Sequence, residues 1–323
     1  MTQQIYDMKL INDVTDVGEN EYKYLLLAPN IEKRSREFFL RLKEKGIFEK
    51  VVILDYANFH KEITPEQESN FYEDFQGIST IKIESSDDTM AIRQLCKIGI
   101  DEDDRVAVDI TGFSIPNIYR IIWALKTVIK IKRIDVFYTE PKFYIYEEGY
   151  FDAYHRKNKE RECAPIIGYC NSGEDEREIL TIFLGFDGGL ADMVYFKLGE
   201  DGKEILQTLV VNGFPSYTAK LKDVSLFNNE GLINKIEREN VLCTAANNPY
   251  ETYNLLCSIL EKYKGTLINL CTIGSKPTAL GTCLFALDNQ SEVKVTYPFY
   301  EKTHFDTDEE PGKIWKYSVV FRR

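Results

Sequence analysis

An apolar run that breaks into a turn of Thr, Gly, Ser and Pro occurs twice in this chain, at an offset of 161 residues. Residues 105–116 read Arg-Val-Ala-Val-Asp-Ile-Thr-Gly-Phe-Ser-Ile-Pro, and residues 266–277 read Thr-Leu-Ile-Asn-Leu-Cys-Thr-Ile-Gly-Ser-Lys-Pro. An apolar segment of helix length follows each turn, Asn117 to Ile129 and Thr278 to Leu287. Thr111 aligns with Thr272, Ser114 with Ser275 and Pro116 with Pro277. Upstream, Leu95, Cys96 and Ile98 align with Leu256, Cys257 and Ile259 without a gap. These six identities over the 22 positions from 95 to 116 share one offset and fall in the same expected elements, which marks a duplicated unit. With 323 residues and an offset of half the chain, the expectation is two domains.

The pattern around the repeat alternates strands with helices. In the first half, apolar runs at Tyr24–Ala28, Val51–Tyr56, Ile78–Ile83, Val106–Ile110 and Ile134–Tyr138 read as strands. Helices are expected over Ile31–Lys45, with Gly46 as its cap, over Met90–Ile98 after the capping run Ser85-Ser86-Asp87-Asp88, and around Ile118–Ile129. Residues 61–76 read as a polar, acidic loop. The second half repeats the scheme, with strands at Ile182–Phe186, Ile205–Val211, Val241–Thr244, Leu267–Cys271 and Val293–Tyr297. Helices are expected from Asn248 through Leu260 and from Thr278, and Asn248 stands where Asp87 stands in the first half. The tail from Thr303 is acidic as far as Glu310, after which Ile314–Phe321 has the composition of one more strand.

Strands alternating with helices imply an α/β fold of two Rossmann-like lobes with parallel sheets, a tandem duplication forming a pseudo-dimer. The expected lobes are residues 1–150 and 179–323. A charged connector at 151–178 carries Pro165, Gly168 and Gly173.

Charge and cysteine usage narrow the partners. A net charge of −12 argues against duplex nucleic acid or a membrane surface held by bulk electrostatics. A small anionic ligand in a local nest of backbone N–H groups remains compatible with it. No apolar stretch reaches the roughly 20 residues needed to span a bilayer. The first residues, Met1-Thr2-Gln3-Gln4, have no signal-peptide character, and a cytoplasmic location is expected. The seven cysteines include no C-x-x-C pair. Cys96, Cys257, Cys271 and Cys283 lie in apolar runs as buried thiols, while Cys163 and Cys170 sit with His155 in the connector, an unpromising zinc set. Tyr138, Tyr144, Tyr297, Phe299 and Tyr300 fall in or after strands, where core packing is the first reading and base stacking the second.

The turns supply the chemistry. In open α/β sheets, ligands bind where strands end and helices begin, because helix N-terminal N–H groups and the macrodipole favour an anion. Gly274 admits a close approach, Ser275 adds a hydroxyl, Lys276 adds a charge, and Pro277 suits a first helical position. Neither a Walker spacing nor a G-x-G-x-x-G run is present. The first copy, Thr111, Gly112 and Ser114, has Ile115 in place of the lysine and carries Asp109, so one half binds and the other is degenerate in this reading. Further strand-end candidates are Asn30 with Arg34, Asp187 with Gly188, and Asn247 with Asn248. Asn and Asp also serve there as caps and turn formers. Arg34 and Arg36 at a helix start run against the dipole preference, which points to an anion or to a solvated face. His60, His155 and His304 are scattered, no catalytic constellation or metal set is legible, and no cofactor is implied.

The run Asn269-Leu270-Cys271-Thr272-Ile273-Gly274-Ser275-Lys276-Pro277 resembles the signature of CRISPR-associated Rossmann-like (CARF) sensor domains, with Asp109, Thr111, Gly112 and Ser114 as a diverged second copy. Two such units in one chain are also similar to the SAVED domain of bacterial anti-phage systems. The resemblance departs at Ile273, where the family favours Gly, and at the missing lysine of the first half. It implies recognition of a cyclic or linear oligonucleotide messenger, a small anionic nucleotide-type ligand, at strand ends. It also implies action through a protein effector partner, with a homodimer as one assembly it allows. The leading reading is therefore a sensor or regulatory protein in prokaryotic antiviral defence. The runner-up is an enzyme on a nucleotide or phosphorylated metabolite, ring-nuclease-like cleavage included, and the third is a structural or interaction subunit.

Overall fold

The computed structural model describes residues 5–11, 17, 21–30, 32–56, 64–85, 88–142, 162–170, 177–200, 204–214, 220–299 and 310–321. The strands in chain order are β1 (Ile5–Ile11), β2 (Tyr22–Leu27), β3 (Phe48–Tyr56), β4 (Ser79–Ser85), β5 (Val106–Asp109), β6 (Arg133–Pro141) and β7 (Glu162–Pro165). They continue with β8 (Arg177–Phe183), β9 (Glu204–Phe214), β10 (Val241–Ala245), β11 (Leu267–Thr272), β12 (Val293–Phe299) and β13 (Pro311–Val320). The helices are α1 (Glu37–Leu42), α2 (Pro65–Glu73), α3 (Asp88–Leu95), α4 (Ile115–Trp123), α5 (Gly188–Glu200), α6 (Lys220–Asn228), α7 (Glu230–Ile233), α8 (Pro249–Lys262) and α9 (Lys276–Asp288).

The chain forms two compact units. The first comprises Thr2–Asn117, Ile121–Tyr144 and Thr307–Arg323; the second comprises Met1, Ile118–Arg120 and Ile145–Asp306. The first holds a seven-stranded sheet in the order β1-β13-β6-β5-β2-β3-β4, and the second a six-stranded sheet in the order β10-β9-β8-β11-β12-β7. The order β4-β3-β2-β5-β6 in one and β10-β9-β8-β11-β12 in the other is the same 3-2-1-4-5 arrangement, parallel throughout. This is a Rossmann-like architecture built twice. The repeated motif therefore occupies equivalent places, since β5 and β11 are each the fourth strand of their core.

The sheets are not wholly parallel, as the alternating pattern alone implied. β13 pairs antiparallel with β6 and with β1, and β7 pairs antiparallel with β12. The strand expected at Ile314–Phe321 is thus β13, two places from the fourth core strand of the first sheet.

Aromatic packing governs the first unit. Phe38 and Phe39 of α1 are buried, Phe38 stacks on Phe137 with centroids 3.7 Å apart, and Phe39 stacks on Phe75 at 4.4 Å. Each such ring stabilises the fold by roughly 1.5–3 kcal/mol through burial. The expected helix over Ile31–Lys45 is broken into a 3-10 turn over Lys33–Arg36, then α1, then a second 3-10 turn over Lys43–Lys45. Gly46 closes it at φ 63°. The expected loop at 61–76 instead contains α2. Its polar composition hides Phe71, which with Phe75 joins the core at a ring separation of 5.1 Å. Helix α4 runs into a π-helical turn over Ala124–Ile129, within the helix expected there. Among the described residues no helix is long and apolar enough to cross a membrane.

A buried carboxylate ties the antiparallel addition to the core. Asp135 of β6 accepts from Ser318 Oγ at 2.6 Å and from Tyr22 Oη at 2.7 Å, and Lys316 Nζ lies 3.1 Å away. Burial alone raises its pKa, but those donors outweigh it and hold the carboxyl below its ordinary value. A folded pKa below the unfolded one gives stability that is present above the usual carboxylate value and lost as pH falls through the folded value. Both tryptophans, Trp123 and Trp315, belong to the first unit, so their fluorescence reports on it. Urea midpoints followed by tryptophan emission should fall on acidification below about pH 4, and Asp135→Asn should flatten that dependence. An unchanged slope in the variant would remove Asp135 as the cause.

Candidate functional site

The 3-2-1-4-5 order places the switch of the second sheet at β8 and β11, the first and fourth core strands, whose turns leave side by side. The approach is too tight for a side chain on both turns. A Cβ on Gly185 would lie 2.3 Å from the Ile273 carbonyl oxygen, and one on Gly274 would lie 2.9 Å from that of Leu184. The Ile273 amide donates to the Phe183 carbonyl at 3.1 Å. The first unit makes the same approach with the glycine on the opposite turn: a Cβ on Gly112 would lie 2.2 Å from the Ala28 carbonyl oxygen. Ile273 aligns with Gly112 in the repeat. In the second unit the residue that needs no Cβ at this contact is Gly185, which faces the Ile273 carbonyl.

Ser275 draws in the third turn. Its hydroxyl accepts from the Thr278 amide at 3.2 Å as the N-cap of α9, accepts or shares a bond with Thr278 Oγ1 at 2.8 Å, and donates to the Ala246 carbonyl. Gly281 lets α9 close on the start of α8, where a Cβ would lie 2.5 Å from the Pro249 carbonyl oxygen. The turn of Gly274, Ser275 and Lys276 thus meets, through Ser275 and Ala246, the turn that carries Asn247 and Asn248. Lys276 is the half-buried first residue of α9.

Asn248 is a helix cap. Its Oδ1 accepts from the amides of Tyr250 at 3.1 Å and Glu251 at 3.4 Å, and its Nδ2 donates to Glu251 Oε1 at 3.1 Å. Asp187 similarly accepts from the Leu190 amide at 3.2 Å in the first turn of α5. Gly188 has a packing reason of its own, because a Cβ there would lie 1.7 Å from the Asn228 carbonyl oxygen. That turn is held by Ser225 Oγ and Asn229 Nδ2, which donate to the Gly185 carbonyl at 2.8 and 3.0 Å. Asn228 Nδ2 donates to Phe186 at 2.8 Å. Sequence reasoning passed over these three residues, which carry no strand-end signature.

Two residues of the motif lie inside the sheet. Asn269 is fully buried: its Nδ2 donates to Glu178 Oε2 at 3.0 Å and its Oδ1 accepts from Thr296 Oγ1 at 2.8 Å. Glu178 in turn pairs with buried Lys294. The signal for this network was the opposite charges of Glu178 and Lys294 within otherwise apolar strands. Thr272 Oγ1 lies 3.0 Å from Thr282 Oγ1 and 3.2 Å from Tyr119 Oη, all in the second unit. Burial raises the Tyr119 hydroxyl pKa.

The first unit uses its corresponding groups internally. The Thr111 amide donates to Asp109 Oδ1 at 2.9 Å, and Thr111 Oγ1 accepts from the Thr139 amide at 2.9 Å. Asn30 Nδ2 donates to the Gly112 carbonyl at 3.3 Å, while Asn30 Oδ1 accepts from the Glu32 amide at 2.9 Å. Arg34 is only 7% exposed. It pairs with Glu32 at 2.5 Å, donates to the Thr139 carbonyl at 2.7 Å and lies over the Tyr138 ring. Burial raises the Tyr138 pKa, and the Arg34 charge opposes that shift. Arg36 pairs with Asp74 at 2.5 Å above the Phe71 ring, so neither arginine is a solvated helix charge. Ser114 directly precedes α4 and is half-buried.

Among the described residues no group of three or more His, Cys, Asp or Glu could hold a metal ion. His60, His155, His304, Tyr144, Tyr300 and the capping residues Ser86 and Asp87 lie outside the described residues. Tyr138 and Tyr297 are core residues. Cys271 and Cys283 are buried, Cys96 and Cys257 partly so, and none of the seven cysteines is in a disulfide. Burial raises the Cys271 thiol well above its ordinary pKa. The Ser275 hydroxyl proton is spent on a carbonyl, not on a base, which suits a positioning group better than a nucleophile.

No protein-family model matches the chain, and no curated protein is significantly similar to it. Among solved structures, it superposes on a Type III CRISPR defence DNA nuclease activated by cyclic oligoadenylate, with a TM-score of 0.51 at 11% identity. The match covers 85% of this chain and 65% of that one, so the chain spans somewhat less than two thirds of its neighbour. At this identity the likeness concerns the fold alone. The cytoplasmic domain of a prokaryotic cation chloride cotransporter matches at 12% identity over 87% of this chain and 96% of that one, but its TM-score of 0.24 is too low to bear on the fold.

The close approach and the cap are both testable by denaturation. Gly112→Ala and Gly185→Ala should each cost about 1–3 kcal/mol, because the new methyl meets backbone. Ser275→Ala should cost about 0.5–2 kcal/mol as a lost N-cap. Urea midpoints equal to the parent's for either glycine variant would show that the turns separate at little cost.

Proposed function

We propose that this protein is a ligand-sensing or regulatory protein that recognises a cyclic or linear oligonucleotide, or a related nucleotide, in prokaryotic antiviral defence and acts through a protein partner. The observation that carries the reading is the turn Gly274-Ser275-Lys276-Pro277. It opens α9 beside the turn after the first core strand, at the switch of a Rossmann-ordered sheet. The α9 dipole and the Lys276 ammonium favour a phosphate there. The activator named for the structural neighbour, a cyclic oligoadenylate, is a ligand of that chemistry.

The second unit is the stronger binder in this reading. In the first unit, Asp109 stands at the corresponding strand end, and Arg34 is engaged by Glu32. The arrangement around Ser275 favours binding over turnover, since no histidine or carboxylate bonds to its hydroxyl among the described contacts.

The test is isothermal titration with cyclic and linear oligoadenylates and with common mononucleotides, followed by mass spectrometry of the recovered ligand. Lys276→Ala should weaken binding of the anionic ligand by roughly ten- to a hundredfold, the loss of one charge-assisted hydrogen bond, with little change in stability. The ligand should be recovered intact after hours. Undiminished affinity would remove Lys276 from the site, and turnover within seconds that depends on Ser275 would replace the sensor with an enzyme.

A further inference from the structure

Helix α9 is buried on every side, since each residue from Pro277 to Leu287 is shut away from solvent. Apolar contact holds such a helix down, yet it has no direction, and it sets the rotation and axial position of the helix only weakly. Directional bonds supply what it lacks. Ser275 caps the first turn and donates to the Ala246 carbonyl. The hydroxyl stripe continues with Thr278 and Thr282, three and then four residues on, along one side of the helix.

That stripe ends in a triangle of three buried hydroxyls. Tyr119 Oη lies 2.5 Å from Thr282 Oγ1 and 3.2 Å from Thr272 Oγ1, and the two threonine oxygens are 3.0 Å apart. Thr282 Oγ1 also reaches the Thr278 and Ala279 carbonyls at 3.0 and 3.1 Å. Each hydroxyl has one proton to give. If Thr282 donates back to its own helix, it accepts from Tyr119 and Thr272 together. If it donates within the triangle, the three bonds close head to tail. In both arrangements Tyr119 is bonded to Thr282, and Thr282 is tied to the last residue of β11.

Tyr119 is itself held in place. Tyr169 Oη donates to the Tyr119 carbonyl at 2.9 Å and lies 3.0 Å from Cys283 Sγ, and the two rings meet edge to face at 5.0 Å. The Tyr169 carbonyl accepts in turn from the Val295 amide of β12 at 3.1 Å. Thr282 and Cys283, neighbours on α9, are thus each held by a tyrosine. All of these groups belong to the second unit.

We propose that Tyr119 is a positioning residue of the proposed ligand site: through Thr282 it sets where α9 stands against β11, and so where Lys276 presents its ammonium. Lys276 is six residues before Thr282 (282 − 276), about 9 Å along the axis, so a helix displaced at Thr282 carries Lys276 with it. Its effect on affinity rests on the oligonucleotide reading; its hold on α9 does not.

Tyr119→Phe is the mild variant, because the two threonine hydroxyls still satisfy each other and the Thr278 carbonyl. Thr282→Val is its companion. Amide hydrogen exchange on the full chain should show Thr278 and Ala279, in the first turn of α9, exchanging at least about threefold faster in Tyr119→Phe, with the amides of β8 and β9 unchanged. Where cyclic oligoadenylate binds the parent, Tyr119→Phe should weaken it roughly three- to tenfold. Adding Thr282→Val should weaken it no further, because both changes act on one contact. Unchanged exchange in α9, or equal acceleration across the whole second sheet, overturns the proposal whether or not any oligonucleotide binds. Undiminished affinity, or losses that add in the double variant, overturns it where one does. A parent that binds no oligonucleotide removes the sensor reading and leaves the exchange result to decide this one.

Discussion

The tight passage of the first-strand turn beside the fourth-strand turn is the constraint on which the rest of each unit depends. Backbone meets backbone there, at Ala28 and Gly112 in one unit and at Gly185 and Ile273 in the other. Only a residue without a Cβ allows it. That contact sets where α4 and α9 begin, and so where a helix N-terminus and its dipole point. Ser275 then caps α9, and Lys276 is its first residue.

The two units show how one topology supports two outcomes. Both have the order 3-2-1-4-5 and both place the repeated turn on the fourth strand. In the first unit the polar groups at strand ends bond to one another: Asp109 to Thr111, Thr111 to Thr139, Asn30 to Gly112, Arg34 to Glu32. A buried arginine needs such a partner, because an unpaired ion away from water is strongly penalised. In the second unit the corresponding groups close a helix cap and a turn, while the buried charge pair Glu178–Lys294 sits deeper, with Asn269 and Thr296 completing its bonds.

The additions to the core follow the same economy of edges. β13 and β1 extend the first sheet beyond β6, and β7 extends the second beyond β12. Pairing an edge strand removes a row of unsatisfied N–H and C=O groups. Asp135, Tyr22, Ser318 and Lys316 then bind the addition to the core through side chains as well as backbone.

What the sequence determined by itself is local and periodic. The apolar runs named the core strands, the offset of 161 residues named the duplication, and Gly46 and Asn248 announced a helix end and a helix start. Each follows from short-range sterics and hydrogen bonding, which a window of a few residues contains. Tertiary structure alone decided the rest. Polar residues 61–76 gave no helical sign because α2 reaches the core through the buried ring of Phe71, which meets Phe75 in the turn past the helix end, itself stacked on Phe39. Asn269, read as a ligand contact, is turned inward and bonded to Glu178 and Thr296, on strands 91 and 27 residues away (269 − 178 and 296 − 269). Arg34 turned inward for Glu32 and the Thr139 carbonyl, the latter reached only once β6 is in place. A side chain's partner is a property of the assembled sheet, since burial sets the cost of leaving it unpaired and long-range pairing sets what is there to meet it.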